Sequence, residues 1–544
     1  MVAWVRRVRT GSGSTAVQIA ESVGGRRRIV RHVGSARDET ELGLLVEQAR
    51  RLLDDDRQGV LDLGISPVRP KAVMVPPPGQ AALFGDSSKA ASKQLVPRAR
   101  VLKSASGILF DALAGVYSSL GFDAVGDGDE VFRDLVIARV VEPTSLLDAD
   151  RVLAELGRVS ASLSTRKRTL RRCYDGRYRD RLAELCFAHA LTDGDVSLIC
   201  YDVTTLYFEA EYEDDLRKVG YSKERRVDPQ IVVGLLVDRQ GFPLEIGCFE
   251  GNKAERLTIL PMIDRFKARH EIEHMLVVAD AGMLSAANLK ALDDGGYKFI
   301  VGSRMTKAPI DLEPHFRWRG NYFTDGQIVD TITPKDARVI ENDRKLKAEP
   351  VWDPAAYPGS WRAVWAYSRK RAARDNKTLT IQENRARAVI AGDKAPHRTR
   401  FVKASSDGFA FDETALTRAR LLAGLKGYVT NVPAAVMPAA EVTASYHDLW
   451  HVEQSFRMSK SDLAARPMFA RTRQAIEAHL TIVFTALAVS RTVQNRTGLS
   501  LRRVLRTLKP LRSATIEING TIQTIQSALK PDETKIINAL ASRH

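Results

Sequence analysis

Cysteine is scarce: the chain has four, at Cys173, Cys186, Cys200 and Cys248, in 544 residues. Their spacing forms no CxxC pair and no metal-binding array, which argues against zinc-ribbon and dithiol redox proteins and fits a reducing cytoplasm. Long apolar runs are missing as well. The run from Leu480 to Val489 is too short to span a bilayer and reads as a buried helix. No secretory signal is seen, so no membrane role is expected. No GxxxxGK[ST] stretch occurs, which argues against a P-loop ATPase. The ten histidines form no HExxH or paired zinc pattern. Acidic residues fall short of basic ones, 66 against 82, which leaves a net charge of +16. That balance favours an anionic partner, nucleic acid first, although a merely basic soluble enzyme carries the same excess. The length suits three or four domains, and the apolar fraction of 44% is ordinary for a globular chain.

What the chain does have is a pair of strand-like runs that each end near an aspartate. Val196 to Cys200 is mostly apolar and reads as a buried central strand, with Asp202 at its end. Met275-Leu-Val-Val-Ala repeats the pattern and ends at Asp280, after which Gly282 opens a helix-like segment. A carboxylate beside a buried strand is costly unless it is paired or binds a metal. A third carboxylate, Glu453, lies in a helical stretch that also carries Arg457 and Lys460. Two strand-end aspartates and a helical glutamate suit a site for two Mg²⁺ ions, which take oxygen ligands and keep some waters.

From Tyr446 to Lys460 the chain reads YHDLWHVEQSFRMSK. With the two aspartates, this stretch resembles the DDE transposases of bacterial insertion sequences, in the group with a Tyr-x2-Arg-x3-Glu-x6-Lys signature. Tyr446, Glu453 and Lys460 match, while the arginine position is Leu449. GYSKERRVDPQ from 220, FEGNKAERLTI from 249 and LAARPMFARTRQAIEAHL from 463 are also similar to family segments. The resemblance covers roughly residues 130 to 500. It implies an RNase H-like mixed sheet flanked by helices. It also implies a dimer that pairs two transposon ends, and cut-and-paste movement in a bacterial cytoplasm at the nucleoid.

In chain order, residues 1–63 are read as a small α+β region, with strands or a hairpin up to 35 and a helix at 39–57. Residues 1–100 carry 17 basic and 10 acidic side chains, so this arm is either a DNA contact or a solvated basic surface. Residues 64–98, with the Pro76-Pro77-Pro78-Gly79 run, are read as a linker. Residues 99–190 are expected to be all helical. Arg166, Arg168, Arg171 and Arg172 on a second, basic helix suggest a helix-turn-helix reader, against a bundle with a solvated basic face. Residues 195–303 are expected to form the first part of the catalytic core: three strands, then alternating helix and strand.

Asp202 and Asp280 are 78 residues apart, but Asp280 and Glu453 are 173 apart. The second gap is too long for the helix and strand it must hold. Residues 304–435 are therefore read as an insertion, partly β, and the resemblance implies that such insertions face DNA. Residues 436–500 complete the core, and 501–544 form a small tail, helical in expectation. On one continuous helix, Tyr446, Trp450, Glu453, Arg457 and Lys460 fall within roughly 80°. Leu449, Val452, Phe456 and Leu463 line the adjoining apolar face.

These readings define an expected metal-dependent DNA transposase. Asp202 bridges two Mg²⁺ ions, with Mn²⁺ able to substitute, and Asp280 and Glu453 complete one ligand set each. Tyr446, Arg457 and Lys460 hold phosphates of double-stranded DNA. Trp450 either stacks on a displaced base, as the resemblance suggests, or packs. A catalytically silent DNA-binding relative and a stand-alone nuclease stay open.

Overall fold

The computed structural model describes residues 3–9, 15–23, 26–36, 45, 46 and 49. From 99 to 542 it describes all but 194–195, 210–211, 222–227, 273–274, 284, 337–347, 396–398, 406–407, 466–467, 469 and 519. Two compact units are present, Met1–Gln94 and Leu95–His544.

In the first unit, β1 (Ala3–Arg9), β2 (Thr15–Val23) and β3 (Arg26–Ala36) form an antiparallel meander. Alternation along β2 buries Val17 and Ile19 against Val46 and Ala49. Most of the helix expected at 39–57 and all of the 64–98 linker lie outside the described residues.

The second unit opens with a strand, β4 (Ala99–Ala105), so the region from 99 is not wholly helical. Five helices follow: α1 (Gly107–Ser119), α2 (Glu130–Val141), α3 (Ala149–Glu155), α4 (Leu163–Asp175) and α5 (Tyr178–Asp193). Their starts are set by caps: Asp129 accepts the Phe132 N–H at 3.1 Å, and Ser162 accepts the Thr165 N–H at 3.2 Å. Pro143 stands just beyond the end of α2, where a helix cannot readily continue.

The central sheet has eight strands. β5 (Leu198–Tyr207), β6 (Gln230–Val237) and β7 (Pro243–Glu250) form an antiparallel ladder. After α6 (Ile259–His270), β8 (Leu276–Ala279) returns parallel to β5. After α7 (Ala286–Asp294), β9 (Lys298–Gly302) lies parallel to β8. The order β7-β6-β5-β8-β9, with β6 antiparallel, is the RNase H-like arrangement that the resemblance implies. Every residue of β6 is buried, as a strand covered on both faces requires.

The stretch 304–435 extends this sheet. It begins with α8 (Ala308–Asp311) and α9 (Glu313–Arg319). β10 (Ile328–Pro334), β11 (Ser360–Tyr367) and β14 (Leu425–Thr430) add three antiparallel strands beyond β9. Between β11 and β14 run α10 (Arg369–Ile390), the hairpin β12 (Val402–Ser405) and β13 (Gly408–Phe411), and α11 (Glu413–Leu421). Fully buried Arg362 on β11 ties the addition to the core. Its guanidinium pairs with Asp330 at 2.5 Å and donates to the carbonyls of Val432 and Met437.

Asp311, also fully buried, accepts the Trp365 indole N–H at 3.1 Å. Burial pushes its carboxyl up from 3.8 to about 7. The folded state then holds a proton that the unfolded chain has lost, so this group makes stability fall as pH rises through that window. Asp311→Asn is expected to raise the unfolding free energy by roughly 3 kcal/mol at about pH 8, the gain shrinking toward about pH 4. Denaturant melts across pH check this; a gain independent of pH would show that the carboxyl does not titrate there.

The chain returns through α12 (Ala439–His447), α13 (Trp450–Arg457), a π-helical turn at Met458–Asp462 and α14 (Arg473–Thr497). Among the described residues, α14 alone is long and apolar enough to cross a bilayer, yet 94% of its apolar window is buried inside the fold. It packs against α1, α2, α4 and β7. The last elements are α15 (Leu501–Leu508), β15 (Ser513–Ile518), β16 (Thr521–Ile525) and α16 (Pro531–Ala541). They are not only helical: β15 pairs with β4, more than 400 residues earlier, and α16 packs on α1.

Candidate active site

β5 and β8 place two carboxylates side by side. Tyr201 stands opposite Ala279 in the parallel register, so the next residue on each chain is Asp202 and Asp280. Adjacent strands lie about 4.8 Å apart. Tyr201 points to the α6 face, where its Oη donates to Thr258 Oγ1 at 2.8 Å. Alternation turns Asp202 to the other face. Thr204 and Leu206 share that face and line a small cavity with Phe456, Ser459 and Lys460. Asp202 thus faces the helix of Glu453; it is partly buried, and Asp280 is exposed.

Tyr446 on α12 donates its Oη to Asp280 Oδ1 at 2.7 Å. The phenol is 8% exposed and its ring lies 4.8 Å from that of Tyr428. Burial raises its pKa first, with the Asp280 hydrogen bond and the charges of Asp280 and Glu453 adding to it. Close packing demands a glycine at the end of β9: a Cβ on Gly302 would sit 2.7 Å from the Tyr446 Oη. The sequence offered Tyr446 to phosphate; in the structure its hydroxyl donates to the Asp280 carboxylate.

The expected single helix is two. α12 ends at His447, and Asp448 and Leu449 make a turn before α13. Arg239 fixes Asp448 at this break through a 2.8 Å ion pair. Tyr446 and Glu453 therefore do not share one helical wheel. Lys460 sits in the π-helical turn rather than on α13. The apolar face holds, with Leu449, Val452, Phe456 and Leu463 all buried. Glu453 and Arg457 are exposed. Trp450 is 51% exposed, with its ring 4.0 Å from that of His451.

Among the described residues, no three His, Cys, Asp or Glu side chains come close enough to hold a metal ion. The donor chemistry still fits a hard divalent cation. Asp202 and Asp280 are adjacent oxygen donors, and Glu453 is near enough for its charge to act on the Tyr446 phenol.

The four arginines of α4 divide. Arg166 is 4% exposed and donates to the carbonyls of Leu146 and Leu147, a structural tie that leaves its guanidinium enclosed. Arg168, Arg171 and Arg172 are exposed and line a cleft of about 770 Å³ with Arg181. Arg172 also holds Asp129 at 2.7 Å.

Two cations escaped the sequence reading. Lys426 on β14 carries its Nζ 5.1 Å from the Tyr446 ring centre. Burial lowers its pKa, and the nearby Asp280 charge opposes that shift. Nothing in its local pattern marks it. Arg491, 4% exposed inside α14, donates to the Gly241 carbonyl, the His451 carbonyl, Ser455 Oγ and Gln454 Oε1. A lone arginine after the apolar run at 480–489 was the available signal.

Comparison with protein families matches residues 193–489, more than half of the chain, to the transposase DDE domain. This chain belongs to that family and is a DNA transposase, an enzyme class that acts with divalent metal. No curated protein matches the chain. Among solved structures, a piggyBac transposase synaptic complex with hairpin DNA is similar at 9% identity and a TM-score of 0.36. That likeness covers 74% of this chain and 78% of that one. A Mos1 transposase paired-end complex is similar at 11% identity and a TM-score of 0.15, over 47% of this chain and 66% of that one. The family assignment rests on the domain match.

Proposed function

We propose that the enzyme binds the terminal inverted repeats of its own element, cuts DNA there and transfers the freed 3′-OH to a target, by cut-and-paste. The observation that carries this reading is Asp202 on β5, turned to the Glu453 helix, beside Asp280 one residue beyond β8, within a domain of the transposase family. Asp202, Asp280 and Glu453 would hold two Mg²⁺ ions, which would supply Lewis-acid activation of the attacking water and the leaving 3′ oxygen, and Mn²⁺ is expected to substitute. Tyr446 orients Asp280 through its hydrogen bond. Arg457, Lys460 and Lys426 offer cations to the phosphates, and Trp450 offers an exposed ring face. Arg168, Arg171 and Arg172 give the helical region a basic surface for the duplex. The working form in this reading is a homodimer holding two ends, in a bacterial cytoplasm at the nucleoid.

The test is Mg²⁺-dependent cleavage of a DNA fragment that carries the element's ends. Cuts at those ends support the reading. Binding with no cuts in Mg²⁺ or Mn²⁺ would replace it with a silent DNA-binding role. Tyr446→Phe is expected to keep end binding and lose roughly 10–100-fold in cleavage, the usual cost of removing a partner that orients a metal ligand. Unchanged cleavage would reduce that hydrogen bond to packing.

A further inference from the structure

A cavity of about 920 Å³ lies between α2, α4 and the start of α14, apart from the carboxylate pair. Its size is within the range of roughly 300–1,000 Å³ common to small-molecule sites. Among the described residues four cations line it, Arg139, Lys167, Arg171 and Arg471, and no carboxylate does. Leu135, Leu170 and Ile482 supply apolar wall.

Arg139 is the unusual member. It is half-buried, and its hydrogen bond is to the Leu463 carbonyl, at 3.5 Å. No carboxylate pairs with it among the described residues. Burial pushes its pKa down to about 10, the mark of a guanidinium withdrawn from water without a counter-charge. Beside it, His479 Nε2 is shut off from solvent and has no hydrogen-bond partner among the described residues. The N-terminal turn of the 25-residue α14 also opens here, through Thr472, Gln474 and Ala475, and favours negative charge. A cationic, partly apolar cavity with an unpaired arginine and an orphaned imidazole nitrogen is complementary to an anion on an apolar body.

We propose that this cavity binds a phosphate monoester carried on a nucleoside, with Arg139 as its central contact. Two sources share that chemistry: the 5′-phosphorylated end of a DNA strand, and a free nucleotide. The DNA end is favoured by continuity. Arg171 lines both this cavity and the basic cleft of Arg168 and Arg172, so one strand can lie along the cleft and turn its end inward. This choice of source rests on the transposase reading; the cavity itself does not.

The experiment uses the full chain and short single strands labelled at the 3′ end, with a 5′-phosphate or a 5′-hydroxyl. The wild type is expected to bind the 5′-phosphate strand at least tenfold more tightly. Arg139→Gln should erase that preference, while Arg168→Gln weakens both strands alike. In the absence of ligand, Arg139→Gln should melt at a higher temperature than wild type, because an unpaired buried charge has gone. If Arg139→Gln does not fold, Lys167→Gln on the exposed wall provides the same binding test.

A deoxynucleoside monophosphate that raises the melting temperature of wild type but not of Arg139→Gln, with no preference between strands, keeps the site and assigns it to free nucleotide. No strand preference and no thermal shift with nucleotide or inorganic phosphate would overturn the proposal. So would an unchanged preference in Arg139→Gln. Because only binding is read, loss of DNA cleavage leaves these outcomes distinct from those of the catalytic test.

Discussion

Asp202→Ala is expected to abolish end cleavage, by roughly 10³-fold or more, and to leave binding of the same DNA within about twofold. The carboxylate lies at the junction of β5 and β8, on the face turned to α13, and it is in register beside Asp280. Removing it takes away one of the carboxylates that would hold the metal in the proposed reading. Its neighbours cannot replace it. Thr204 is two residues along the same face and is neutral, and Glu453 approaches from another element. In the proposed reading the duplex is held by the basic face of α4, away from the carboxylates, so binding and cutting should separate. A second readout does not depend on activity. Mg²⁺ should raise the melting temperature of the wild type and not of Asp202→Ala. Cleavage that survives in the variant would remove Asp202 from the chemistry.

Arg491→Ala is expected to cost roughly 3–5 kcal/mol of stability, because it strips several buried acceptors of their donor at once. The guanidinium bridges α14 to the Glu453 helix through His451, Gln454 and Ser455, and to the β6–β7 turn through Gly241. That turn is built around Asp238, whose Oδ1 accepts the N–H groups of Gln240 and Phe242 at 2.9 and 2.8 Å. Gly241 has φ +84°, and a Cβ there would lie 2.3 Å from the Arg491 Nη2. Glycine and arginine are thus required together. Arg491→Lys keeps a charge but not the planar fork, so it should fold better than alanine and still cut slowly, since α13 loses its anchor. Urea melts and cleavage rates of both variants decide this. An alanine variant as stable as wild type would show that packing alone seats the helix.

Much of the catalytic core was legible because its signals are local. The apolar runs at 196–200 and 275–279 gave β5 and β8, and each pointed to the aspartate beside it. The 173-residue gap before Glu453 exposed the intervening segment as an insertion, partly β, and β11 and β14 lie in it. The failures share one cause: they depend on partners distant in the chain. Ala99–Ala105 is a strand because β15 pairs with it, and neither run is convincing alone. The wheel through Tyr446 and Lys460 broke at Asp448, held by Arg239 from another turn, and again in the π-helical turn. Arg166 reads as one more basic residue of a DNA-facing helix until the carbonyls of Leu146 and Leu147 enclose it.

The sequence by itself determined the strand periodicities, the three carboxylates and the family, since each is written in residue type and spacing along the chain. Only the tertiary structure decided how these elements meet: Asp280 bound by Tyr446, Lys426 brought to the same site, and Arg139 half-buried with no counter-charge among the described residues. Those outcomes depend on burial and on contacts between distant segments, and the cost of taking a charge out of water is set only when the fold closes around it.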